Sequence, residues 1–135
     1  MIRVLVLLLL LLPKMALSEV IVNRSVQLDT VSQQYLLSIF SMRTRIWPDG
    51  QPVHVFILAP ERNEHKTFVK QELGIFPYKL LNIWDRALFS GSGQSPVVVE
   101  TETEMLQRVA ATQGAIGYMS SNEGGGPDVK SLRVD

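Results

Sequence analysis

Few side chains in this chain could do chemistry. With no cysteine and two histidines, His54 and His65, neither a thiolate nucleophile nor a multi-histidine metal centre is available. The histidines are not paired at the i, i+4 spacing that places two ligands on one helix face. His54 sits in a segment of strand character, opposite the face formed by Val53, Val55 and Ile57. His65 falls on what reads as the solvent side of a helix. Glu100, Glu102 and Glu104 could be taken for paired acid–base carboxylates. Their position at the start of a helix gives them a plainer role, complementing its positive end. Ser92, between Gly91 and Gly93, lacks the GxSxG pattern of a nucleophile elbow. No catalytic residue, no metal ligand and no cofactor site emerges, and the expectation is a protein that is not an enzyme. Anion binding is the sharper expectation, at the opening of the helix over 61–73, because the first turn of a helix offers unpaired N–H groups to an anion. Arg43 and Arg45 lie in a loop before Trp47 and read as solvated.

The chain must also be placed in a compartment. Arg3 precedes an unbroken apolar run from Val4 to Leu12, Pro13 interrupts it, and Ala16 and Ser18 are small residues at the −3 and −1 positions of a signal-peptidase site. That is the layout of a secretory signal over residues 1–18, cleaved before Glu19. The run is short of the ~20 apolar residues that span a bilayer, and no cysteine follows it to carry a lipid. Residues 19–135 are one domain's worth of sequence. Arg3 and Lys14 account for two of the 13 basic residues, which leaves 11 against 13 acidic ones, a net charge of −2. A near-neutral surface gives no reason to bind nucleic acid, and membrane contact is expected only through the signal segment. An exported, cysteine-free domain of this size fits a bacterial periplasm.

Strands alternate with helices along the chain. Residues 20–22 and 52–58 read as strands, and Ser32 caps a helix carrying Tyr35, Leu36, Ile39 and Phe40 at helical spacing. A helix over 61–73 should stop at Gly74 in a left-handed conformation, and Pro77 should open the next. That next helix is expected to bury Leu80, Leu81, Trp84 and Leu88, with Phe89 also in the core. Residues 97–99 read as a strand. Thr101 and Glu104 have the spacing of a capping box for a helix running to Thr112, and Gly114 is its stop. Residues 115–120 form a strand in which Gly117 admits a neighbouring backbone. Residues 90–93 read as a flexible turn and 122–128 as a glycine-rich linker, and 129–134 is a candidate edge strand. This is an α/β pattern.

Three stretches carry a more specific resemblance: IFSMRTRIWPDGQPV (39–53), GIFPYKLLNIWDRALFSGSGQSP (74–96) and GAIGYMS (114–120). Together they resemble the phosphate-type substrate-binding proteins of bacterial ABC importers, in a short, single-domain form. The resemblance runs from residue 20 to 121, nearly all of the expected mature chain. It implies a mixed β-sheet flanked by helices, one lobe of a type 2 periplasmic-binding-protein fold, in a periplasmic protein. It also implies a small oxyanion such as phosphate as ligand and an ABC permease as partner. In that family the anion is held by a motif like RxDGSGTxxxF. Aligned on Phe68 and Leu73-Gly74, Arg62 stands in place of the serine, Asn63 of the glycine, Glu64 of the threonine and Pro60 of the aspartate. The resemblance thus implies Arg62, Asn63 and Glu64 as the candidate ligand-binding residues, with the hydroxyl donors replaced. The rewritten motif leaves an alternative open, a ligand-free lobe that docks on another envelope protein.

Overall fold

A computed structural model describes residues 18–91, 93–120 and 128–135. All of the expected signal segment but Ser18 lies outside them, as do Ser92 and most of the expected linker. The strands are β1 (Ser18–Asn23), β2 (Thr30–Val31), β3 (His54–Leu58), β4 (Val97–Val99), β5 (Ala115–Ser120) and β6 (Val129–Val134). The helices are α1 (Gln33–Phe40), α2 (Asn63–Phe68), α3 (Pro77–Phe89) and α4 (Glu102–Ala111). Among the described residues one sheet holds six strands, in the order β2-β6-β1-β5-β3-β4. The strands β5, β3 and β4 are mutually parallel, and β1 runs against both β5 and β6. The result is a mixed sheet flanked by helices, as the strand–helix alternation requires.

Apolar residues on both sheet faces explain the layering. In β3, Val55, Phe56, Ile57 and Leu58 are all buried, so this strand is covered on both sides rather than alternating. On one face Gly117 of β5 meets α4. A Cβ there would come within 2.5 Å of Met105 Sδ and 3.1 Å of Val109 Cγ2, so the glycine admits helix side chains, not a neighbouring backbone. On the other face, Tyr118 stacks on Phe68 of α2 at 3.9 Å between ring centroids, and Phe68 packs against Phe40 of α1. Trp84 of α3 is buried there and donates its indole N–H to Phe40 O at 2.8 Å.

Several local signals act as expected. Ser32 accepts from Tyr35 N, Gly74 is left-handed at φ 69°, and Pro77 opens α3. Thr101 Oγ1 accepts from Glu104 N at 3.0 Å, while the Glu104 carboxylate reaches past the cap residue to Glu100 N at 2.9 Å. Four further expectations need correction. The helix over 61–73 begins at Asn63 and continues beyond Phe68 as a π-helical turn, Val69–Leu73. Only Leu80 and Trp84 of α3 are buried, while Leu81, Leu88 and Phe89 are exposed, Phe89 at 95%. The helix touches the core along a narrow line, and its last turn runs past the core. The segment 129–134 is not an edge strand: β6 lies between β1 and β2, and the two-residue β2 forms the edge. His65, expected on the solvent side, is 1% exposed.

Gly114 locks the turn into β5. Its φ is 75°, a Cβ would lie 2.1 Å from Pro52 O, and its own carbonyl accepts the Trp47 indole N–H at 2.8 Å. Gly50 also has positive φ, at 95°, but nothing lies within 4 Å of its Cβ position. Replacing Gly114 with Ala combines backbone strain with a backbone clash and is expected to cost about 3 kcal/mol or more. Gly50→Ala carries the strain alone, about 1–2 kcal/mol. Urea titration of both variants checks the difference, and equal losses would disprove the close-approach account.

Candidate functional site

The carboxyl ends of β3, β4 and β5 lie on one edge of the sheet, where open α/β folds place their ligands. Each side chain there is set by a local rule. The β3 strand ends at Leu58, and a buried backbone N–H at that point needs a partner as the chain leaves the ladder. Leu58 N donates to the Tyr118 hydroxyl at 2.8 Å, and that hydroxyl lies 2.5 Å from His65 Nδ1. Because the phenol oxygen accepts from Leu58, its own proton goes to His65 Nδ1, which leaves the ring proton on Nε2. Burial pushes the Tyr118 hydroxyl well above its ordinary value and lowers His65 to about 4, with Glu61 opposing in part. The imidazole is thus a neutral acceptor that anchors α2 to the sheet.

Above this anchor, a turn closed by Arg62 N to Ala59 O (2.9 Å) delivers Arg62 as the residue before α2. Its side chain folds back across the edge. Nε donates to Glu64 Oε2 at 3.2 Å, and Nη1 donates to Glu100 O at 2.5 Å, tying the β3–α2 connection to the β4–α4 connection. The Glu64 carboxyl is held below its usual range, first by the Arg62 hydrogen bond and then by a backbone N–H. Asn63 is exposed at the first position of α2. Beside them, Glu102 Oε1 accepts from both Ser120 N and Ser120 Oγ at 2.7 Å. Arg62 also feels the charge of Glu102. The structure therefore brings Arg62 and Glu64 together and places Asn63 beside them. Sequence reasoning missed Tyr118, Ser120 and the Glu102 contact. It missed His65 too, although His65, Phe68, Val69 and Leu73 share one buried helical face whose spacing is visible in the sequence. His54 is exposed at the opposite end of β3, away from this edge.

The fold has close counterparts among solved structures. An ABC-type phosphate transport receptor from Vibrio cholerae superimposes with a TM-score of 0.68 at 14% identity, over 88% of this chain and 46% of that one. The chain has the fold of a phosphate-type binding-protein lobe. PstS from Borrelia burgdorferi gives a TM-score of 0.65 at 11% identity, over 89% of this chain and 47% of that one. A putative phosphate ABC transporter substrate-binding protein from Clostridium perfringens, solved with bound phosphate, gives 0.63 at 16% identity, over 88% and 45%. The chain thus spans a little under half the length of these proteins. No protein-family model matches the sequence, and no curated protein does either.

The His65 contact makes stability depend on pH. Its value in the folded chain, about 4, lies below the ordinary 6.5, so between these limits the unfolded chain binds a proton that the folded chain refuses. Stability is full above pH 6.5 and falls as the pH drops toward 4, by up to about 3 kcal/mol. His65→Asn keeps an acceptor near Nδ1 but does not titrate. Urea midpoints measured from pH 7 to 4.5 are expected to decline steeply for the wild type and more gently for the variant. Parallel slopes would show that His65 is not the titrating group.

Proposed function

We propose that this chain is a substrate-binding module of the phosphate-binding type, exported to the periplasm by its N-terminal segment, which takes a small oxyanion at Arg62. One observation carries the reading. The Arg62 side chain is about one-third exposed (35%) at the carboxyl ends of three parallel strands. Two of its five N–H donors go to Glu64 and Glu100, and the other three make no hydrogen bond to a described residue. A guanidinium held at two points keeps its remaining donors in a set plane, the geometry that suits an oxyanion. The likeness to part of a binding protein solved with bound phosphate supports the same ligand class.

The neighbouring carboxylates set the terms of binding. Glu64 lies against Arg62, and Glu102 is close enough to act on its charge. Two like charges ~4 Å apart near a surface repel by about 4 kcal/mol. An oxyanion seated beside Glu64 must therefore bring a proton to donate to it. Phosphate does so at neutral pH and sulfate does not. In this reading the rewritten sequence, with Glu64 where the family carries a hydroxyl, makes the site selective for a protonated anion. An ABC permease is the corresponding partner.

Calorimetric titration of the protein with phosphate and with sulfate tests this. Phosphate is expected to bind at least tenfold more tightly than sulfate, Arg62→Ala to weaken phosphate at least tenfold, and Glu64→Gln to narrow the gap between the two anions. No heat with phosphate at millimolar concentration, or binding that survives loss of Arg62, would overturn the assignment.

A further inference from the structure

Resting on the reading that Arg62 receives an oxyanion, we infer that Glu102 is an internal latch on the same seat: its carboxylate occupies the Ser120 N–H and hydroxyl that an incoming oxyanion would otherwise use. The contact has the form of a bound anion. One oxygen, Oε1, accepts from both the backbone N–H and the hydroxyl of a single residue at 2.7 Å. These are short, charge-assisted bonds, and they engage the donors at the carboxyl end of β5. The position is not incidental. Ser120 closes the strand that carries Tyr118, and Arg62 reaches from the β3 side to Glu100 O, two residues before Glu102. The carboxylate therefore holds the serine donors on the same sheet edge that the arginine crosses, and the arginine senses its charge.

Capping of α4 does not require this contact. The Thr101 hydroxyl and the Glu104 carboxylate already hold the helix start through Glu104 N and Glu100 N. Glu102 is left to bond across to β5 instead. An oxyanion drawn to Arg62 would meet Ser120 only after the Glu102 side chain swings away, and a side chain on the first turn of a helix can do so without backbone movement. Glu102 thus acts as a competing intramolecular ligand that lowers the apparent affinity of the site. A partner that draws Glu102 aside would raise it.

Titration of phosphate into the wild type, Glu102→Ala and Glu102→Gln, together with the amide proton–nitrogen signal of Ser120, tests the latch. Glu102→Ala is expected to bind phosphate at least tenfold more tightly than the wild type, with the Ser120 signal moving on addition of phosphate. Glu102→Gln keeps an acceptor near Ser120 without the charge, and should fall between them. It also serves if the alanine variant folds poorly. Equal or weaker binding by both variants, while the wild type binds through Arg62, would overturn the latch and leave the Arg62 reading standing. Binding by Glu102→Ala with a silent wild type would uphold the latch and sink the reading of the resting protein as a binder. Silence in all three would remove both.

Discussion

A hydrogen-bond chain of three groups, Leu58 N–H to Tyr118 hydroxyl to His65 Nδ1, fixes the geometry of this lobe. It solves a general problem of parallel sheets. At its carboxyl end a strand must leave the ladder, and a backbone N–H buried at that point is costly unless something accepts from it. Here a tyrosine two residues from the end of β5 accepts it, and a buried histidine takes the tyrosine's proton. The same tyrosine ring stacks on Phe68, three residues after His65 on the same helix face. Two strands and a helix are thereby joined at one polar point inside an apolar shell. The direction of α2 and the place of Arg62 at its mouth follow from that junction.

Around the junction, the sheet edge is closed by the chain's own charges. Arg62 spans two connections, Glu104 holds the start of α4, and Glu102 holds the end of β5. Carboxylates at a helix start are favourable in any protein, because they meet unpaired N–H groups and the positive end of the dipole. The chain has the architecture of a phosphate-type lobe, and at this edge it carries paired charges. Those pairs satisfy the donors of the edge from within the chain.

The lobe also bears an apolar exterior on α3. Phe76 and Tyr78 stack on each other at 6.0 Å while exposed, and Leu81, Leu88 and Phe89 follow along the helix. With Leu80 and Trp84 alone buried, α3 is held to the core by few residues, and the Trp84 bond to Phe40 O sets its position. The solved counterparts are about twice as long as this chain. In this chain the helix face is open to solvent.

Much of this was readable from residue order. Local signals depend on neighbours in sequence, so Ser32, Gly74, Pro77 and Thr101 marked their helix ends correctly, and the alternation of strands and helices implied a mixed sheet between helices. Arg62, Asn63 and Glu64 came forward through the resemblance, which aligns them with the family's anion motif at a helix opening. What the sequence could not supply were relations between distant positions. An exposed and a buried histidine look alike until Tyr118, 53 residues away, is known to reach His65. Glu102 reads as an ordinary helix-start carboxylate until β5 brings Ser120 beside it. The apolar residues of α3 read as core because hydrophobicity says what would gain from burial, and only packing decides what there is room to cover.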